Sequence, residues 1–236
     1  MHTTAPWPRA VLPVPDPSAP GCRDAPLVSQ VPSARRTFFD IWSRFYDAPP
    51  AQWMLYRPVH EAVLAELRTQ PVRRVLDVGC GTGILTARTG ALLSGLVCGF
   101  DLSFGMLEHA SRRRVGPWIQ ANAVRLPIRS ESADAVVSTE AFHWFTDHDA
   151  VLREFRRVLV PGGRIIVAVV NPRSVAAARM AQKWFTRAGQ PAYWPTRAEM
   201  RARVEAAGLR VRRQSPVVRV FGLSFPTVVT VAHRTE

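Results

Sequence analysis

Three glycines at alternate positions, Gly79, Gly81 and Gly83, break the apolar run 75-VLDVGCGTGILT-86. A glycine-rich turn between a strand and a helix lets a cofactor approach the backbone closely. Two cofactor chemistries compete for such a turn. A diphosphate loop has the spacing G-x-G-x-x-G, whose third glycine lets helix and strand pack closely. Counted from Gly79, that third position is Ile84, and Gly83 comes one residue early, so the loop lacks the close-packing glycine. Asp77 also puts a carboxylate at the strand end beside the loop. Negative charge there suits a cofactor bearing an ammonium or sulfonium group better than one bearing a diphosphate. Asp101 closes the next strand candidate, 18 residues after Gly83. A carboxylate in that place can accept both hydroxyls of a ribose, and each such charge-assisted hydrogen bond is worth about 1.5–3 kcal/mol.

A second set of reactive side chains sits in 139-TEAFHWFTDHD-149. His143 is the candidate catalytic base, since imidazole titrates near neutral pH. The alternative is that it lines or supports the pocket, with Trp144 beside it to exclude water. Glu140 is a candidate contact for cofactor or substrate. His148, together with Asp147 and Asp149, reads as capping or preceding the next helix.

These residues need elements to position them. Strand candidates are 73–78, 96–101, 117–121, 134–139 and 164–170, with helix candidates near 84–92, 103–114 and 147–160 between them. The last of these should stop at 161-PGG-163. Such alternation argues a parallel sheet with helices on both faces. Amphipathic runs at 36–47 (Phe38, Ile41, Trp42 and Phe45 on one stripe) and 59–67 precede it. Thr196 and Glu199 form a capping box ahead of Met200, Val204 and Ala207, and Gly208 ends that helix. Two β-rich stretches, 209–220 and 224–232, should pair as an antiparallel hairpin. Residues 1–34 hold eight prolines and no hydrophobic period, and are expected to be a disordered tail.

The ordered series LDVGCGTG, GFDLSFGML, ANAVRLP, ADAVVSTEAFHWF and EFRRVLVPGGRIIV resembles a class I S-adenosylmethionine-dependent methyltransferase. It is similar to the subgroup with quinone C-methyltransferases and trans-aconitate methyltransferase, and FHW is closer to the latter. The resemblance implies an α/β, Rossmann-like, seven-stranded and mostly parallel sheet with helices on both faces and a C-terminal antiparallel hairpin, spanning residues 35–236. It implies S-adenosyl-L-methionine as cofactor. Gly79, Cys80 and Gly81 match the loop that approaches its methionine part, and Asp77 matches the acidic residue supporting that loop. Asp101 matches the ribose ligand, Leu102 and Met106 the residues flanking the adenine. Asn122 stands where the family commonly has an aspartate accepting the adenine amine, and Ala123 follows with its amide available to the ring. The resemblance also makes the 36–47 segment a lid, with Tyr46, Asp47, Arg57 and Pro58 as entry-region residues and Arg57 a candidate carboxylate ligand.

Composition narrows the partners. The net charge is +13, carried by 30 arginines and one lysine, Lys183, scattered over many segments. Charge of this size raises nucleic acid as a partner. No RNA-binding module is visible, and the strand end carries Ser138-Thr139-Glu140-Ala141 rather than an N/D-P-P-Y tetrapeptide, so a small-molecule methyl acceptor is the expectation. The denser groups, Arg112–Arg114 and Arg201–Arg213, read as solvated faces. An RNA methyltransferase and a non-catalytic cofactor-binding partner protein remain the other readings. Cys22, Cys80 and Cys98 form neither a disulfide framework nor a metal set, which favours a cytoplasmic location. No apolar run approaches the roughly 18 residues of a transmembrane helix.

Overall fold

Val75 and Ile166 face one side of the sheet and Leu76 and Ile165 the other, and all four are buried. A strand buried on both faces needs a covering layer on each, and the chain supplies two. The computed structural model describes residues 56–113, 115–171, 175–187, 192–217 and 227–235. The proline-rich tail and the aromatic 36–47 segment lie outside them. In chain order the described elements are α1 (Arg57–Leu67), β1 (Arg74–Val78), α2 (Ile84–Leu92), β2 (Leu96–Asp101), α3 (Phe104–Ser111), β3 (Trp118–Gln120) and β4 (Ala133–Thr139). A 3-10 turn, Phe142–Trp144, comes next. Then follow α4 (His148–Val158), β5 (Leu159–Val170), α5 (Val175–Arg187), α6 (Arg197–Ala206), β6 (Leu209–Val217) and β7 (Thr227–Arg234).

The seven strands run in the order β3-β2-β1-β4-β5-β7-β6. All pairings from β3 to β5 are parallel, and β7 is antiparallel to both β5 and β6. This is the sheet and terminal hairpin that the motif series implies. On one face, Val59, Val63, Leu64 and Leu67 of α1 and Leu85 of α2 pack on Val97, Val137 and Val231. On the other, Val151, Leu152, Phe155 and Val158 of α4 and Met200 and Val204 of α6 pack on Leu76, Phe100 and Ile165. Each such side chain contributes about 1.5–3 kcal/mol when fully buried.

The helix caps follow local chemistry. Ser103 accepts the Met106 amide at the start of α3, and Asp147 accepts that of Ala150 at the start of α4. The Thr196–Glu199 capping box forms in full, and Gly208, at φ +77, follows α6. Two expectations are corrected. The Pro161-Gly162-Gly163 run is not a loop between α4 and the strand. β5 starts at Leu159 directly after α4, and the run is a bulge within it, where the register passes from Ala133↔Leu159 to Ala135↔Arg164. Gly162 at φ +76 takes the backbone through that bulge. The third helix ends at Ser111, and Arg113 is not merely solvated, because its Nε donates to the carbonyl of Thr82 in the glycine loop at 2.7 Å. Helix α5 has no counterpart among the elements expected from periodicity.

Candidate active site

β1 lies between β2 and β4, so the loops leaving its carboxyl end and that of β4 flank the crevice where open α/β sheets bind ligands. The two loops touch. A Cβ on Gly79 would stand 2.3 Å from the Cβ of Ala141, and Gly79 has φ +76, a conformation that favours glycine. Gly83, also at φ +76, caps α2, and its bare Cα leaves room for the Trp118 ring. The loop therefore does contain a close-packing glycine, but it packs against β3 across the sheet rather than against its own strand. The amides of Gly79 and Cys80 both donate to the carbonyl of Phe100, at 2.8 and 3.0 Å, which ties the loop to the end of β2.

Asp101 faces that loop. Its Oδ2 accepts from the Gly81 amide at 2.8 Å and its Oδ1 from the Ser103 amide at 2.9 Å. Two backbone donors thus fix the carboxylate toward the glycine loop. Asp77 is different in kind. It is 1% exposed, its Oδ2 accepts from the Thr86 hydroxyl at 2.6 Å, and its Oδ1 is buried with no hydrogen bond. Burial raises its pKa to about 7, the Thr86 bond opposes the rise, and the Asp101 charge adds to it. The Cys80 thiol is pushed well above its usual range, first by burial and then by the Asp101 and Asp77 charges, which disfavours its thiolate.

The residues that the sequence resemblance assigns to the adenine lie at the ends of β2 and β3 and in α3. The Ala121 amide donates to the Asp101 carbonyl at 2.9 Å, which sets Asn122 and Ala123 just beyond β3. Leu102 is half-buried and its carbonyl accepts from Gln120 Nε2. Met106 is buried in α3, as is Ala123 in the turn after β3. Asn122 is engaged locally. Its Oδ1 accepts from the Val124 amide at 3.2 Å, the Asx turn that asparagine readily forms.

Across the crevice, Glu140 takes a left-handed conformation, φ +54, where β4 ends, and its Oε1 accepts from the Thr227 hydroxyl of β7 at 2.7 Å. The chain then turns through Phe142–Trp144. His143 is buried, with its ring stacked on Trp194 at 5.6 Å and 20° and tilted against Trp144 at 4.9 Å. Its carbonyl accepts from the Tyr193 amide at 2.9 Å. Phe185 of α5 lies edge-on to both Trp144 and Trp194. His148 is the first residue of α4, and the cap is its neighbour Asp147 rather than His148 itself. Its ring packs 4.4 Å from that of Phe142, and burial, with the Arg203 charge, lowers its pKa to about 4. A neutral His148 therefore supports the turn that carries His143. Arg57 is exposed on the first turn of α1 and pairs with Glu61 at 3.8 Å.

Sequence reasoning missed Phe185, Tyr193 and Trp194. The aromatic pairs 184-WF-185 and 193-YW-194 were the available signal, yet neither sits in a motif or a periodic run. Among the described residues no group of three His, Cys, Asp or Glu side chains could hold a metal ion, and no helix is long and apolar enough to cross a membrane.

Comparison with known proteins agrees with this geometry. Residues 76–167 match a family model described as a methyltransferase domain. A demethylmenaquinone methyltransferase of Mycobacterium sp. (strain KMS) is 33% identical over 195 residues, covering 73% of this chain and 84% of the relative. A malonyl-[acyl-carrier protein] O-methyltransferase of Hahella chejuensis is 35% identical over 134 residues, 55% of this chain and 47% of the relative. The crystal structure of magnesium protoporphyrin IX methyltransferase from Synechocystis PCC 6803, with bound S-adenosylhomocysteine, has the same fold. Its TM-score is 0.65 at 19% identity, over 85% of this chain and 96% of that one. A glycine loop tied to a strand-end carboxylate, in a sheet of this topology and with relatives of this closeness, makes the chain a member of the methyltransferase family, an enzyme that uses S-adenosylmethionine.

Proposed function

We propose that the crevice transfers a methyl group to a planar, apolar small molecule. The observation that carries this is the aromatic wall formed by Trp144, Phe185 and Trp194 around His143, reached across the contact between Gly79 and Ala141. Flat rings stack on such a wall with a gain of about 0.5–1.5 kcal/mol beyond area burial. One relative is named for demethylmenaquinone and another for malonyl-[acyl-carrier protein]. Aromatic faces and edges of this kind favour the ring-bearing class of acceptor.

The chain's own groups fit the cofactor. Asp101 would accept the ribose hydroxyls, Gly79, Cys80 and Gly81 would border the methionine part, and Leu102 and Met106 would flank the adenine. Asn122 and Ala123 would meet its amine edge. The buried Oδ1 of Asp77, which has no hydrogen bond, puts a latent negative charge beneath the loop, suited to a cationic ligand. S-adenosylmethionine supplies a methyl group already activated on a sulfonium. The protein's remaining work is to orient the acceptor and exclude water. His143, clamped by stacking and by its carbonyl, would shape the acceptor pocket. A cytoplasmic location fits the three widely spaced cysteines, and residues 35–236 would form the domain behind the 1–34 tail.

Two experiments test this. Calorimetry should give micromolar binding of S-adenosylhomocysteine and no comparable binding of NAD. Asp101→Ala should weaken the former about 10- to 100-fold, the worth of one or two charge-assisted hydrogen bonds. Labelled methyl transfer to quinone-like and phenolic acceptors, with host RNA as control, should label the small molecules. Label in RNA alone would sink the proposal. On the acceptor found, His143→Ala should raise KM roughly tenfold, about 1.4 kcal/mol of lost contact, with turnover largely kept. A fall in turnover of about 10²–10⁴-fold, with loss of a pH dependence near neutrality, would instead make His143 the base.

A further inference from the structure

The opposite end of the sheet carries a second concave surface. A cavity of about 540 Å³ lies where the β5 bulge meets the start of β6 and the end of β7. Its lining includes Gly162, Arg210, Arg212, His233, Arg234 and Thr235, and none of the described lining residues is acidic. The register sets these together. Arg164 of β5 pairs with His233, and Arg210 of β6 pairs with the same residue from the other side. This is the amino end of the parallel strands. The glycine loop lies at the carboxyl end, about 20 Å away at the rise of a strand.

The charges in this cleft are poorly compensated. Arg234 is neutralised, since it donates to Glu131 and to the carbonyl of Leu159. Arg164, buried beneath, donates to the carbonyls of Glu66 and Leu67 and to Gln70, and Arg213 takes the Glu66 carboxylate. Among the described residues, neither Arg210 nor Arg212 has a carboxylate partner. The field is felt by His233, whose pKa is lowered by burial and then by Arg164 and Arg212, with Glu66 in opposition. A Cβ on Gly162 would meet nothing within 4 Å, so the bulge backbone is open to a ligand.

We propose that this cleft binds a phosphorylated small molecule through Arg210 and Arg212, at a site separate from the methyl-transfer crevice. Paired guanidiniums match phosphate oxygens in a fork-like geometry. The Thr235 hydroxyl and the backbone of the bulge add neutral donors. The volume lies within the range of about 300–1,000 Å³ usual for small-molecule sites, and the concavity favours a compact anion over an extended polymer. The proposal does not depend on the identity of the acceptor.

The test is calorimetry of the full chain with pyrophosphate and with inorganic phosphate, in potassium chloride at constant ionic strength. Saturable one-to-one binding of pyrophosphate is expected, with a dissociation constant below about 1 mM. The double substitution Arg210→Gln/Arg212→Gln should weaken it at least about tenfold and leave S-adenosylhomocysteine affinity unchanged. In the unsubstituted protein, NMR should show the His233 pKa rising when pyrophosphate binds, because a multiply charged anion opposes the local positive field. The proposal is overturned if pyrophosphate does not saturate, if the double variant binds it as well, or if His233 does not respond. It is also overturned if single-stranded RNA binds through the two arginines and pyrophosphate fails to compete.

Discussion

Gly79→Ala is expected to lower the melting temperature and to reduce S-adenosylhomocysteine affinity by more than about 100-fold, or about 2.7 kcal/mol. Two physical terms act together. The new methyl would stand 2.3 Å from the Cβ of Ala141, whereas carbon atoms pack best at about 3.5–4.0 Å. Alanine at φ +76 also carries a left-handed strain of roughly 1–2 kcal/mol. If the glycine loop moves to relieve the clash, it leaves the Phe100 carbonyl that holds the Gly79 and Cys80 amides. That movement takes Gly81 away from Asp101, the carboxylate assigned to the ribose. Adding Ala141→Gly removes the clashing atom but not the backbone strain. The double variant should recover most of the melting temperature and part of the affinity. Unchanged affinity in Gly79→Ala would mean that the contact between the two loops plays no part in holding the cofactor.

Asp77→Asn should stabilise the cofactor-free protein, and the gain should grow with pH. Burial raises the Asp77 pKa to about 7, against 3.8 in the exposed carboxyl. Between those values the folded chain keeps a proton that the unfolded chain has released. Stability from this group is therefore full below about pH 4 and is lost as pH rises towards 7. About three pH units, at about 1.4 kcal/mol each, put the loss on the order of 4 kcal/mol. Asparagine cannot ionise and escapes it. His148 works in the other sense. Its folded pKa of about 4 lies below its exposed value of 6.5, so its contribution is present above pH 6.5 and is lost as pH falls towards 4. That contribution is common to both proteins and cancels in the difference. Urea unfolding of both at about pH 4.5, 6 and 7.5 measures that difference. A difference that stays flat with pH would show that Asp77 is ionised throughout. A cationic ligand beside the loop should favour the ionised carboxylate, so S-adenosylmethionine should bind Asp77→Asn more weakly than the unsubstituted protein while the neutral-sulfur product is less affected.

Some of this protein was legible without a structure. The glycine loop, the strands ending at Val78, Asp101 and Thr139, and the Thr196–Glu199 capping box all read directly from the chain. They rest on side-chain period, on glycine's access to positive φ, and on hydrogen bonds spanning three residues, which are short-range rules. The pairing of Asp101 with the loop was also legible, because adjacent parallel strands bring their carboxyl ends together. Other features depend on which distant segments meet. The Pro161-Gly162-Gly163 run became a bulge rather than a loop, since β5 had to keep pairing with β4 on both sides of it. The wall around His143 needs Phe185 and Trp194, and the basic cleft needs the ends of β5, β6 and β7 side by side. Asp77 stands in a motif that any reader can find, yet its raised pKa comes from the burial that the whole fold imposes. Local backbone chemistry is written within a few residues, whereas desolvation and long-range contact are properties of the packed molecule, and only the tertiary structure could decide them.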